Sequence, residues 1–168
     1  IQRAIMNLDN ESGISIMRII PKLDSGPVMM KSKLKISKET NYDELSKKLS
    51  NLGAKLILNS LNLIQNNKEN FVEQNEKEVS YAKKIEKKES KIIWNNPAKK
   101  IIAKINALYP NPGSWLEYKG SRIKIIKAIE VKLKGLPGEI LNENFTIACS
   151  ENAIQVLELQ KEGKKKMK

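Results

Sequence analysis

The sequence predicts an α+β chain in which two apolar strands and a long amphipathic helix precede a small five-stranded barrel carrying one helix. Three observations predict it. Residues 13–20 and 28–36 are extended apolar runs around a tight turn, and residues 41–64 keep an apolar stripe at helical spacing. Beyond residue 113, short strand-like runs alternate with turn signals.

Ile1 to Leu8 reads as the end of a helix. Gly13 to Ile20 is apolar on both faces, as expected for a strand covered on both sides. In the second run Val28, Met30, Leu34 and Ile36 point one way, while Met29, Lys31, Lys33 and Lys35 point the other. The lysine stripe either faces RNA phosphates or, as the preferred reading, keeps a solvent face from pairing. Between the runs lies Leu23-Asp24-Ser25-Gly26-Pro27. Gly26 allows a sharp turn and Pro27 fixes the start of the next strand. Asp24 stands at the end of a buried strand, where α/β proteins place their chemistry, or else simply caps the turn.

Asn41 with Glu44 makes a capping-box-like start to the long helix. Leu45, Leu49, Leu52, Leu56, Ile57, Leu61 and Ile64 form its stripe. Gly53 inside it reflects either a close approach to the sheet or plain tolerance. With two strands and two helical pieces, this first part cannot close a core by itself. Residues 66–90 are polar, mixed in charge and without a sustained apolar period, and read as a linker. Lys83, Lys84, Lys87 and Lys88 cluster at its end and read, from the residues alone, as a solvated charge run.

In the last part, residues 91–168, a helix begins with Asn96 as N-cap and Pro97 at the first position. Tyr109-Pro110-Asn111-Pro112-Gly113 ends it. Strands are expected near 114–118, 121–131, 138–141, 144–149 and 153–160, a pattern suggesting a barrel of the oligonucleotide-binding (OB) type. Its expected core is Trp94, Trp115, Ile123, Ile125, Ile147, Val156 and Leu159. Arg122, Lys124 and Lys127 decorate the longest strand, and Lys161, Lys164, Lys165, Lys166 and Lys168 make a denser basic tail.

Hydrophobic residues are 40 % and charged residues 30 % of the chain, a globular composition. No apolar run is long enough to span a bilayer, and there is no secretory signal, so a cytoplasmic location is expected. Cys149, the single cysteine, lies in an apolar run and reads as a small core residue. With no histidine in the chain, no metal site is expected. The net charge of +12 is uneven: +4 over residues 1–70, zero over 71–90 and +8 over 91–168. The last part is an electrostatic footprint for a polyanion. Lysine makes up 28 of the 31 basic residues, so binding would be led by backbone and shape, or part of the charge is only a solvated surface.

Six pieces carry a further signal. They are Ile1-Gln2-Arg3-Ala4-Ile5, Glu11-Ser12-Gly13-Ile14-Ser15-Ile16-Met17, Leu23-Asp24-Ser25-Gly26, Tyr81-Ala82-x-Lys84-Ile85, Tyr109-Pro110-Asn111-Pro112-Gly113-Ser114-Trp115 and Gly163-Lys164-Lys165-Lys166-Met167. In this order and spacing the chain resembles the methionyl-tRNA formyltransferase family from end to end. The resemblance implies that residues 1–65 end a Rossmann-like formyltransferase domain cut inside its length. Residues 66–90 would be the linker, and 91–168 an OB-like tRNA-binding domain. An Ile1 left by pro-segment processing is the other possibility, and nothing here resembles a cleavage signal. By resemblance Asp24 is one of three polar catalytic residues, supported by Gly26, and the other two, an asparagine and a histidine, lie upstream of Ile1. The tRNA would be held by Lys83, Lys84, Lys87, Lys88, Arg122, Lys124, Lys127, Lys164 and Lys165. The family's acidic residue before the tryptophan is Ile93 here, beside Trp94.

The implied reaction moves a formyl group from 10-formyltetrahydrofolate to the amine of methionyl-initiator tRNA. The formyl-donor site would lie mostly outside this chain, which is expected to be inactive alone. The full enzyme is expected to be monomeric, with no membrane or DNA partner. Two alternatives stand beside this reading. One is a formyltransferase acting on a small substrate, a sugar nucleotide or a formylfolate; the other is a non-catalytic RNA-binding module.

Overall fold

A computed structural model describes residues 1–167. Helix α1 (Gln2–Met6) leads into a hairpin of β1 (Glu11–Met17) and β2 (Val28–Lys35), paired antiparallel with Ser12 opposite Leu34 and Ile14 opposite Ser32. Helix α2 (Tyr42–Gln65) packs on one face of that hairpin, with Leu45 and Leu49 against Ile14, Leu34 and Ile36. Its start is capped as the sequence predicts: the Glu44 amide donates to the Asn41 side chain at 3.0 Å.

The expected strand over 13–20 is shorter and less covered. It stops at Met17, and Ile19 is 92 % exposed. Among the described residues β2 is the one strand paired with β1, and α2 is the helix packed on it, which leaves its second side uncovered by any sheet or helix with comparable packing. The lysine stripe of β2 faces solvent, with Lys33 paired to Glu11. At Gly53 a Cβ would meet Ile14 at 3.8 Å, an ordinary contact, so no close approach demands glycine there.

Residues 66–90 contain two short 3-10 turns, Glu76–Glu78 and Lys87–Ser90. Helix α3 (Ala98–Leu108) follows. Its N-cap is Pro97, one residue later than expected, and the first helical amide, Ala98, donates to the Glu151 carbonyl at 3.0 Å. A tertiary backbone acceptor therefore takes the capping role assigned to Asn96, whose side chain donates to the Ile93 carbonyl.

Strands β3 (Ser114–Tyr118), β4 (Ser121–Val131), β5 (Ile140–Asn142), β6 (Thr146–Ala148) and β7 (Ala153–Lys161) pair antiparallel in the order β3-β4-β7-β6-β5. A two-residue strand β8 (Lys166–Met167) adds to β7. It escaped sequence reading because so short a run has no alternation; Lys168 lies outside the described residues. Irregularities in the β4–β7 register between Ile125 and Ala128 bend the sheet into a curled half-barrel. Among the described residues no pairing joins β3 to β5, so the sheet is a half-barrel and the expected closure into a five-stranded OB-like barrel is not seen.

Helix α3 fills the curl. Ile101 and Ile105 pack with Ile125, Ile147, Ile154 and Val156, and Cys149 joins this core as expected. Burial pushes its thiol pKa up to about 11, as expected of an inert core thiol. Trp94, Ile123 and Leu159 pack against the core partly buried. Trp115 does not belong to it. On β3 the buried residues are Ser114 and Leu116, so Trp115 points to the other face. The far side of α3 serves the first part, where Ala107 packs with Ile5, Leu45 and Leu49.

Candidate active-site turn and basic sheet face

The turn between β1 and β2 is built around a backbone close approach. A Cβ on Gly26 would lie 1.8 Å from the Arg18 carbonyl oxygen, so no other residue fits. The Arg18 amide donates to the Pro27 carbonyl at 3.0 Å and closes the base of the turn. Ser25 Oγ donates to the Lys22 carbonyl at 3.0 Å. Asp24 takes a left-handed conformation with φ of 52° and is exposed. Its carboxylate hydrogen-bonds to no group among the described residues. A free, exposed carboxylate can accept a proton or orient a cationic or N–H group, and it cannot donate.

The segment expected to be a plain linker folds back on this turn. Val72 pairs with Val28 through two backbone hydrogen bonds of 2.8 and 2.9 Å. Phe71 lies under the Arg18 guanidinium at 4.2 Å, and Lys22 pairs with Glu76 at 2.8 Å. Gln74 Nε2 donates to the Asp24 carbonyl at 3.0 Å and to the Gly26 carbonyl at 2.7 Å. Sequence reading missed Gln74, because a lone glutamine in a polar stretch gives no local signal.

Of the linker-end lysines, Lys83 and Lys84 present their carbonyls to Arg3, at 2.8 and 2.9 Å. Arg3 also grips Glu89 with two bonds of 2.6 and 2.9 Å. This bidentate pair holds the Glu89 carboxyl down at about 2, against an ordinary 4.5. The four lysine side chains are exposed, and Lys88 pairs with Glu86 at 2.7 Å.

On the sheet, Trp115 stands opposite Lys124, Lys124 opposite Gln160 and Gln160 opposite Lys166. This row crosses four strands on the face away from α3. Arg122 stacks on Trp115 with 4.1 Å to the ring centroid, and Lys91 approaches the same ring at 5.5 Å. Lys166 lies over Tyr109 at 5.3 Å. The structure thus brings Arg122 and Lys124 together and adds Lys91, Lys166, Trp115 and Tyr109. Lys127 is exposed further along β4, between the two register irregularities, and Lys164 and Lys165 are exposed in the β7–β8 turn. No hydrogen bond or ion pair joins these residues to the Asp24 turn among the described residues. The surface role of Trp115 was readable in principle. A two-residue turn at Lys119-Gly120 fixes the β3–β4 register and sets Trp115 beside Lys124.

Among the described residues no helix is long and apolar enough to cross a membrane, and no three histidine, cysteine, aspartate or glutamate side chains are placed to hold a metal ion.

Comparison with known proteins places this geometry. Over residues 1–61 the chain matches the formyl transferase family model, and over 84–168 the model of the formyl transferase C-terminal domain. It is 43 % identical, over 98 % of its length, to a methionyl-tRNA formyltransferase of Pelagibacter ubique, of which it covers 54 %. To that of Bradyrhizobium diazoefficiens it is 40 % identical over 99 % of its length, covering 55 % of it. The chain spans about half the length of these curated relatives. Among solved structures, an N-formyltransferase from Helicobacter canadensis, in complex with folinic acid and dTDP-3-aminofucose, superposes with a TM-score of 0.73. That match has 22 % identity over 94 % of this chain and 58 % of the other. On the two family models and the end-to-end identity, the chain belongs to the formyl transferase family.

Proposed function

We propose that this chain supplies the C-terminal part of a methionyl-tRNA formyltransferase. That enzyme would carry a formyl group from 10-formyltetrahydrofolate to the amino group of methionyl-initiator tRNA. The observation that carries the reading is 43 % identity across 98 % of the chain to an enzyme of that name. The geometry supports it, since one polypeptide combines a held acidic turn with a cationic, aromatic-lined sheet face.

In the reaction the amine nitrogen bonds to the formyl carbon, the carbon's bond to the folate nitrogen breaks, and a proton passes from the amine to that nitrogen. The Asp24 carboxylate accepts the amine's proton or orients an imidazole that does. The tetrahedral intermediate carries an oxyanion, which needs hydrogen-bond donors. Asp24, as a carboxylate, cannot supply one, and by the family resemblance the asparagine and histidine that would, with most of the formyl-donor site, belong to the part of the enzyme outside this chain. Residues 1–65 thus end the catalytic domain, 66–90 form the connecting arm, and 91–168 act as an OB-like tRNA-binding domain. Phosphates of the tRNA lie along Lys83, Lys84, Lys87, Lys88, Arg122, Lys124, Lys127, Lys164 and Lys165. The enzyme works as a cytoplasmic monomer.

A second reading, a formyltransferase for a sugar nucleotide, is favoured by the 0.73 TM-score to the Helicobacter canadensis protein. A salt titration of initiator-tRNA binding by the whole chain separates the two. The first reading expects binding at low salt that weakens by at least about 100-fold between roughly 50 and 200 mM salt. A chain that ignores tRNA at low salt removes the RNA role and leaves the small-substrate reading. The chain alone, given formyl donor and Met-tRNA, is expected to show no turnover.

A further inference from the structure

We infer that Gln74 is a positioning residue for Asp24: its side-chain amide pins the turn that carries the carboxylate. The inference rests on the role proposed for Asp24 and goes beyond it, to the group that holds Asp24 in place.

The carboxylate itself has no side-chain or backbone partner among the described residues, so its position is set by the backbone beneath it. That backbone is in a left-handed conformation at Asp24, which an aspartate tolerates without favouring. Three local contacts define the turn's base: Arg18 to Pro27, Gly26 against Arg18, and Ser25 to Lys22. None of them reaches the Asp24 peptide. The remaining link comes from 50 residues away. One nitrogen, Nε2 of Gln74, donates to the carbonyl of Asp24 and to that of Gly26, on either side of Ser25.

A primary amide has two N–H groups on one nitrogen, and the two carbonyls at 3.0 and 2.7 Å are their near acceptors, with the weakly accepting Met17 Sδ farther off at 3.9 Å. Two carbonyls converging on one nitrogen select against a carboxylate of the same shape, which would set oxygen against oxygen. Gln74 is in turn held in place by its own segment, residues 71–76. Val72 pairs with Val28, Phe71 lies under Arg18, and Glu76 pairs with Lys22. The arm that continues towards the basic residues thereby sets where the carboxylate points.

Two variants test this, Gln74→Glu and Gln74→Ala, with two readouts. The first is backbone amide relaxation of Asp24, Ser25 and Gly26 in this chain. The parent should show a rigid turn, with order parameters near 0.85, and Gln74→Glu should drop them below about 0.6. The amides of Val28 and Val72 should keep their exchange protection, which shows that the hairpin and arm remain folded. Gln74→Ala should loosen the turn less, because it removes the donors without adding repulsion. The second readout is formyl transfer by the full-length enzyme carrying the same changes. Gln74→Glu should lower kcat by about 10- to 100-fold, with the KM for either substrate unchanged within about twofold.

A turn equally rigid in Gln74→Glu overturns the inference, whatever the activity. A loosened turn with unchanged kcat overturns the positioning role. If the parent enzyme transfers no formyl group, the function proposed above falls, while the relaxation measurement still decides for or against the pin.

Discussion

The curled sheet and α3 enclose Ile101, Ile105, Ile125, Ile147 and Ile154, each at most 2 % exposed. The hairpin and α2 bury Leu45, Leu49 and Leu56, yet leave Leu58 and Leu61 of the same helix 62 % and 53 % exposed. A curled sheet with a helix in its concavity uses one face of each element and completes a core. A flat hairpin under one helix leaves the second face of the hairpin and the far stripe of the helix with nothing to bury against. The first part also takes Ala107, a residue of α3, into its own small core. Order in the first part should therefore depend on the second more than the second depends on the first.

The largest effect should come from the shared helix's own core. Ile154→Ala empties a fully buried site and should cost about 3 kcal/mol in urea unfolding. Both parts should then lose amide protection together, because the wall of one is the core of the other. Leu49→Ala removes a similar volume from the first part. It should raise exchange in β1 and β2 while β4 and β7 stay protected. Equal loss of protection in β4 and β7 would show that the two parts form one cooperative unit and that the asymmetry is misread.

A smaller effect concerns the tie between the parts. Arg3 belongs to α1, and Glu89 leads into the curled sheet. The Glu89 carboxyl is held at about 2, below its ordinary 4.5, chiefly by the Arg3 hydrogen bonds and also by the Glu86 amide. A depressed carboxyl stabilises the fold above its ordinary pKa, and that contribution is lost as pH falls towards the folded-state value. The parent should thus lose about 1–2 kcal/mol between pH 4.5 and 2, a figure reduced for partial solvent screening. Arg3→Ala should already lack most of that stability at neutral pH and show a shallower slope through the window. Urea midpoints across a pH series would check it, and parallel slopes in the two proteins would remove the tie from the account.

The same asymmetry explains which features were legible in the sequence. Strands β3 and β4 follow the expected ranges 114–118 and 121–131, because each alternates around a two-residue turn that fixes register. Helix α2 announced itself by its Asn41 cap and leucine spacing. What escaped depended on partners distant in sequence. The run 13–20 reads as doubly covered because it is apolar on both faces, yet covering is a property of neighbours, and among the described residues α2 is the helix packed on β1. Trp115 reads as core by residue type and lies outside by parity, and parity carries more weight on a paired strand. In the candidate site, Asp24 and Gly26 were readable from the turn itself, whereas Gln74 acts across 48 and 50 residues.

The smallest effect concerns buried hydroxyls, which the two parts treat differently. In the first part Ser60, fully buried on α2, donates to Met30 Sδ at 3.2 Å. In the second part Ser90 Oγ and Ser114 Oγ are buried without a partner. They lie side by side, since the backbone bridge between Lys91 and Trp115 sets their preceding residues next to each other. A lone buried hydroxyl has lost its water and gained nothing in return, so removing it costs little. Ser114→Ala should change stability by less than about 0.5 kcal/mol, or raise it slightly. Ser60→Ala should cost about 0.5 kcal/mol, the modest worth of a bond to a weak sulfur acceptor. Thermal unfolding of the two variants side by side gives the sign of each. A clear loss for Ser114→Ala would mean that its hydroxyl is satisfied in solution, by water or by Ser90. The core of the second part would then be less dry than its packing implies.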